Sequence, residues 1–191
     1  MPILRPDDAL PLETRRILVA GTSGAGKTTL AARVGSTLGV PHVELDGLFH
    51  GPSWTPRPSF VEDVAAFCAQ DAWVTEWQYR AVRRMLARRA DLVLWLDLPR
   101  ATVMRQVSLR TISRRLQHEE LWNGNVEPPL RTMLTDPDHV VRWAWRTHST
   151  TRARIAELLD LQPDLAVVRL RNRREIDALL GALRVSGRGS A

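Results

Sequence analysis

Cysteine, lysine and tyrosine each occur once in these 191 residues, and phenylalanine three times. A single cysteine excludes an intramolecular disulfide framework and points to a reducing, cytoplasmic setting. Cys68 ends the stretch Ser59–Cys68, whose apolar residues recur at helical spacing, so it is expected in a core. No apolar run approaches the roughly 20 residues of a membrane-spanning helix, so no membrane association is expected. The segment before Arg15 carries Asp7, Asp8, Glu13 and three prolines, which is not the pattern of a signal peptide. None of the five histidines has zinc spacing: His118-Glu119-Glu120 lacks the second histidine of H-E-x-x-H, and no structural metal is expected.

The lysine scarcity is set against 26 arginines and a formal net charge of +6. The arginines are spread along the chain with no nucleic-acid-binding signature, so nucleic acid is not expected as the main partner. Reactants carrying several phosphates would also call for this much positive charge.

The lone lysine, Lys27, lies within Gly21-Thr22-Ser23-Gly24-Ala25-Gly26-Lys27-Thr28, a full match to the phosphate-binding pattern G-x-x-x-x-G-K-S/T. Glycines permit a tight turn that brings backbone N–H groups against phosphate oxygens. Lys27 is expected to reach the β and γ oxygens, and the Thr28 hydroxyl to coordinate magnesium; Thr29 completes the loop. The context is right. Arg16–Ala20 reads as a buried strand, and from Thr29 onward Leu30, Val34 and Leu38 repeat every fourth residue as a helix face. A helix N-terminus after a glycine loop attracts anions through its dipole.

Along the chain, strands alternate with helices, which predicts an α/β fold: a five-stranded parallel sheet flanked by helices in three layers. Further strands are expected at Pro41–Leu45, Ala72–Glu76, Asp91–Asp97 and Leu165–Leu170. Helices are expected at Ser59–Gln70, Tyr79–Arg89, Ala101–Leu116, Asp138–Leu161 and Arg173–Leu183, with a loop over Asp46–Pro58 and an irregular excursion over His118–Thr135. Residues 15–184 thus form one domain between a flexible arm, 1–14, and a flexible tail, 185–191.

Several stretches carry a resemblance. The glycine loop, Glu44-Leu45-Asp46 with Trp54-Thr55-Pro56-Arg57-Pro58, Trp73 to Arg80, and Trp95-Leu96-Asp97-Leu98-Pro99 resemble the P-loop kinases of nucleoside-monophosphate-kinase fold. Within that group they are most similar to the adenylate-kinase-related topology modulation (FlaR-like) proteins. The resemblance runs from about Arg15 to Leu183. It implies a donor triphosphate (ATP or GTP) with Mg²⁺ on the glycine loop, an acceptor-binding segment at about 46–70, and a mobile arginine-rich lid at about 114–137.

Asp46 follows the second strand, where the ligand crevice of an open parallel sheet lies, and is assigned to orient the acceptor hydroxyl or a magnesium-bound water. Glu76, ending the third strand, is assigned to magnesium through water. The similar proteins have Asp-Gly where this chain has Glu76-Trp77, and the longer acid and bulky Trp77 alter the shape expected there. Arg80, with Gln78 beside it, is expected to clamp an acceptor phosphate through paired N–H donors, with Arg57 as a second clamp. In the lid region Arg110 and Arg114 share a helix face, as do Arg142 and Arg146, and these four are expected to neutralise charge on the transferred group. Trp73 and Trp95 should be core, while Trp143 and Trp145 are expected to pack the lid helix.

The sequence therefore predicts an enzyme, a kinase moving the γ-phosphoryl of a nucleoside triphosphate to a small acceptor, first a nucleoside monophosphate. Two alternatives stand beside it: a kinase of a metabolite hydroxyl, as in the shikimate and gluconate kinases of this fold, or a slow regulatory ATPase associated with nucleic acid.

Overall fold

The computed structural model describes residues 3–6, 8, 10, 14–117, 120–125 and 139–188, with side chains as far as 184. Its five strands are β1 (Arg16–Gly21), β2 (His42–Val43), β3 (Trp73–Glu76), β4 (Leu92–Leu96) and β5 (Ala166–Leu170). They pair in the order β2-β3-β1-β4-β5, all parallel, as expected.

Alternation along each strand divides the core between two faces, because successive side chains point to opposite sides of a pleated sheet. Ile17, Val19, Leu92, Leu94, Ala166 and Val168 share one face with α1 (Lys27–Leu38) and the terminal helix, Arg173–Arg188. Leu18, Ala20, Trp73, Val93, Trp95 and Val167 face the other way. There they meet α3 (Phe60–Cys68), α4 (Arg83–Arg89) and the helix Thr150–Leu161. Most of these side chains are fully buried, each contributing about 1.5–3 kcal/mol. The helix after β1 therefore covers one face and the helix after β3 the other. Their diverging connections leave a crevice at the carboxyl ends of these neighbouring strands.

At the opposite end of the sheet, Asp91 accepts from the backbone N–H groups of Arg15 and Arg16 at 3.1 and 2.8 Å and pairs with the Arg16 guanidinium at 2.6 Å. Burial pushes the Asp91 carboxyl up, but these hydrogen bonds outweigh it and hold it below the usual carboxylate range.

Several boundaries differ from the sequence reading. The second strand stops at Val43, because Leu45–Phe49 turns into a short helix, α2, followed by a 3-10 turn at Pro52–Trp54 where a plain loop was expected. Tyr79 has φ 57°, which no helix accommodates, so α4 starts at Arg83 rather than Tyr79. The single helix expected over 138–161 is two, α6 (Val140–Thr147) and α7 (Thr150–Leu161), broken at His148 and Ser149. Between α5 (Arg100–Gln117) and α6, the described residues of the excursion hold a 3-10 turn at Trp122–Gly124. Of the expected lid at about 114–137, residues 118–119 and 126–137 lie outside the described residues.

Within the expected arm, Leu4 pairs with β5. Leu4 donates to the Val167 carbonyl at 2.8 Å and accepts from Arg169 N–H at 3.2 Å, shielding the outer edge of β5. The last helix, α8 (Arg173–Arg188), runs into the expected tail.

Candidate functional site

A cavity of about 850 Å³ opens at the carboxyl ends of the strands, within the size range of small-molecule sites. Its donor end is the glycine loop: Gly21, Thr22, Ser23, Gly24, Gly26, Lys27, Thr28 and Thr29 all line it. Gly24 and Gly26 have φ of 82° and 91°, a region that costs other residues strain. Gly24 is also pressed against α5, where a Cβ would lie 2.5 Å from the Val107 Cβ. Ala25 is the exception in the loop. It is buried, and its amide donates inward to the Thr22 carbonyl at 3.1 Å, so it offers no N–H to a phosphate.

Lys27 reaches back toward the Thr22 carbonyl at 3.4 Å. Burial drives its pKa below the ordinary lysine value, opposed by the carboxylates of Asp46 and Glu76 and reinforced by the Arg110 guanidinium. The loop is tied to the α6–α7 break: Thr22 Oγ1 donates to the His148 carbonyl at 3.3 Å, and His148 Nε2 donates to the Leu98 carbonyl at 3.0 Å.

Asp46, in the first turn of α2, is held from one side. Gln78 Nε2 at 2.7 Å and the Tyr79 hydroxyl at 2.5 Å both donate to its Oδ1. Among the described residues Oδ2 has no hydrogen-bond partner. The positive φ of Tyr79 is what brings two consecutive side chains, Gln78 and Tyr79, onto one carboxylate oxygen. Burial, together with the neighbouring Asp46, pushes the Tyr79 phenol well above its usual range, so it stays protonated and donating. His50 Nε2 in turn lies 3.3 Å from the Tyr79 oxygen, leaving its buried Nδ1 without a partner.

Three guanidinium groups converge at the acceptor end. Arg80, Arg83 and Arg154 all line the cavity. Burial lowers the Arg83 pKa, and the charges of Arg154 and Arg80 lower it further, partly offset by Glu157. Like charges gathered in this way favour an anionic ligand, which relieves the repulsion. Arg83 lies three residues beyond Arg80, a spacing that sequence reading passed over. Arg154 arrives from α7, with no local signal near the acceptor residues.

The outer wall is aromatic. Trp54, Trp122 and His50 line it; the His50 ring meets Trp54 edge-on at 5.1 Å and stacks on Trp122 at 6.5 Å. Trp122, which the sequence did not single out, donates from Nε1 to Glu44 at 2.6 Å. Asn125 fastens the same turn to the acceptor segment, accepting from Trp54 N–H at 2.9 Å and donating to the Gly51 carbonyl at 3.0 Å. Asn123 donates to the His50 carbonyl.

Other expected residues sit elsewhere. Arg110 and Arg114 line the cavity, as the lid argument required. Arg142 and Arg146 do not: Val140, Trp143 and Thr147 form the cavity face of α6, and two residues four apart on its other side cannot share it. Arg146 instead lies 5.5 Å from the Trp143 ring centroid, and Arg100 lies 4.9 Å from that of Trp145. Arg57 is paired with Asp63 at 3.1 Å and lies outside the lining.

Glu76, also outside the lining, is 2% exposed, with His42 Nε2 and the Leu45 N–H each 3.3 Å from its carboxylate. Burial raises its pKa, but His42 and the backbone donors outweigh that and hold it low. Its charge acts on Lys27 from behind the loop.

Thr28 and Asp46 both line this cavity, and the Asp46 charge is felt at Lys27, so the Thr28 hydroxyl would offer a magnesium ion oxygen beside a carboxylate. Among the described residues no cluster of three or more His, Cys, Asp or Glu side chains could hold a metal ion. No helix of the described residues is long and apolar enough to cross a membrane.

No family model matches the chain, and no curated protein matches it by sequence. Solved structures do. A sugar kinase from a Janibacter species is 22% identical, covering 89% of this chain and 92% of its own, with a TM-score of 0.46. A gluconokinase from Sinorhizobium meliloti is 15% identical, covering 93% of each chain, with a TM-score of 0.48. A shikimate kinase from Acinetobacter baumannii, solved in complex with shikimate, is 16% identical, covering 93% of this chain and 95% of its own, also at 0.48. Each is a likeness of fold.

Proposed function

We propose that this protein is a P-loop kinase that transfers the γ-phosphoryl of a nucleoside triphosphate to the hydroxyl of a small anionic metabolite. The observation that carries the reading is the continuity of one cavity from the glycine loop, past Asp46, to the guanidinium groups of Arg80, Arg83 and Arg154. Amides of the loop and Lys27 bind the donor phosphates. Magnesium, which the Thr28 hydroxyl would help to hold, would supply neutralising charge when bound. The acceptor anion docks on the three guanidinium groups, with its hydroxyl toward Asp46 Oδ2. That hydroxyl oxygen bonds to the γ-phosphorus as the bond from phosphorus to the β–γ bridging oxygen breaks. The hydroxyl proton passes to the Asp46 carboxylate, and the nucleoside diphosphate leaves. Arg110 and Arg114 stabilise the charge on the group in transit, so the chain's contribution is positional and electrostatic.

A nucleoside monophosphate is the second reading, favoured by the flat faces of Trp54 and Trp122 on the acceptor wall. Its phosphate oxygen needs no base, whereas an Asp46 with one oxygen held and the other open suits a hydroxyl.

Phosphorus NMR of the protein with Mg·ATP and separate panels of hydroxy acids and nucleoside monophosphates distinguishes the two. Asp46→Asn should lower transfer to the hydroxyl acceptor by roughly 10²–10⁴-fold while triphosphate binding persists. Product from the monophosphates alone would favour the second reading; hydrolysis that no acceptor alters would remove the phosphotransferase.

A further inference from the structure

The first residue before α6 is a histidine whose imidazole is 4% exposed and lines the same cavity as Arg110 and Arg114. Its Nδ1 accepts the Val141 N–H at 3.3 Å and so caps the helix. A ring nitrogen that accepts carries no hydrogen, so the neutral ring holds its proton on Nε2. That Nε2–H is buried and has no partner among the described residues.

An unmet donor in so buried a place is costly, the kind of penalty that folded chains retain where a ligand relieves it. Its surroundings specify the ligand. Arg110 and Arg114 line the cavity from α5, and Arg110 is close enough to Lys27 for its charge to be felt there. Val141 and Ala144 pack α6 against Val107 of α5, and Val107 in turn supports Gly24 of the glycine loop. The start of α6 adds the partial positive charge of a helix N-terminus. The guanidinium groups, the helix N-terminus and the unmet donor each favour an anion with several acceptor oxygens.

We propose that His139 is a ligand of the phosphoryl group in transit, its Nε2–H donating to a terminal phosphate oxygen of the triphosphate that Arg110 and Arg114 also face. This rests on the donor-site reading above. A neutral donor there adds direction without adding to the repulsion among the guanidinium groups. The contact would also distinguish a triphosphate from a diphosphate, which presents no oxygen at that point.

The capping and ligand roles separate cleanly in two variants. His139→Asn places an oxygen where Nδ1 caps the helix but does not reach the Nε2 position. His139→Gln places an amide N–H near the Nε2 position and gives up the cap. A ligand contact predicts that His139→Asn loses roughly tenfold or more in ATP affinity relative to ADP, as for a charged hydrogen bond, and a comparable factor in kcat/KM. His139→Gln should stay near wild type in both while melting at a lower temperature. The reverse order, or Asn binding ATP as wild type does, overturns the proposal.

A second measurement uses the unaltered protein. In a long-range ¹H–¹⁵N spectrum the His139 Nε2 signal, assigned by its loss in His139→Asn, should move on adding Mg·ATP and move much less with Mg·ADP. No movement with either also overturns it. If the wild-type chain bound neither nucleotide, the donor site itself would be wrong; normal binding and transfer with an indifferent His139 would sink this inference alone.

Discussion

The glycine-loop end of the cavity comes from a single run of chain, 21–29, whereas the acceptor end is drawn from 44–54, 77–83, 121–122 and Arg154 of α7. At the donor end the binding groups are mostly backbone amides whose directions follow from two glycines with positive φ. At the acceptor end they are side chains, aimed by hydrogen bonds between residues more than seventy positions apart, such as Trp122 to Glu44 and Asn125 to Gly51. A site made of backbone in one turn is hard to alter piecemeal. One made of side chains from separate segments can change its ligand by moving a single segment. Damage at the donor end should therefore abolish binding outright, and damage at the acceptor end should change how well one reactant fits.

The largest effect expected is that of Lys27→Met. It should remove stabilisation by Mg·ATP altogether, and the nucleotide-free variant should melt higher than wild type. The sign follows from linkage. Burial sets the Lys27 pKa in the folded chain below its unfolded value. The unfolded chain thus binds more protons, and the ammonium opposes folding throughout the pH range below its lowered pKa. That penalty fades as pH rises toward the ordinary lysine range. For the same reason ATP affinity should begin to fall at a lower pH than an ordinary lysine would dictate. Thermal-shift curves with and without nucleotide check both; a retained ATP response in Lys27→Met would break the comparison at its donor end.

At the acceptor end Arg83→Ala should raise the acceptor KM by roughly tenfold or more, the loss expected for a charge-assisted hydrogen bond. The KM for ATP should stay within about twofold, since the lost contact lies away from the glycine loop. Arg57→Ala is the matched control. Its pair with Asp63 is partly exposed, and such pairs contribute about 0–1 kcal/mol, so both KM values should be close to wild type. An Arg57 effect as large as that of Arg83 would return Arg57 to the acceptor site.

The same division explains what was legible in the sequence. The glycine loop could be read because strand, turn and helix signals lie next to one another, and the parallel sheet followed from alternating elements. Asp46, Gln78 and Arg80 were found because they follow strand ends, where cavities of such sheets open. Arg83 was within reach, one helical turn beyond Arg80. Arg154, Trp122 and His139 were not, because their roles depend on where long connections return to the cavity. Arg142 and Arg146 show the same limit from the other side. Their spacing correctly placed them on one helix face, but spacing does not say which face turns inward, and Trp143 takes that side.

The smallest effect on turnover is expected from Asn125→Ala, and it tests how the acceptor end is held. The Asn125 amide is buried, donates to the Gly51 and Trp122 carbonyls at 3.0 and 2.7 Å, and accepts from Trp54 N–H at 2.9 Å. Truncation leaves the Gly51 carbonyl and the Trp54 N–H to find water, while the Trp122 carbonyl keeps only the Asn125 backbone N–H at 3.3 Å among the described residues. A cost of about 1–3 kcal/mol in stability should follow, measurable by denaturant unfolding. Trp54 and Trp122 would still be present, so the acceptor wall would loosen rather than vanish. The acceptor KM should rise by less than in Arg83→Ala, and ATP affinity should hold, because the Asn125 side chain bonds to Gly51, Trp54 and Trp122 rather than to the glycine loop among the described residues. If ATP affinity fell in step with the acceptor KM, the fastening would be shared by both ends, and the cavity would have to be treated as one cooperative unit.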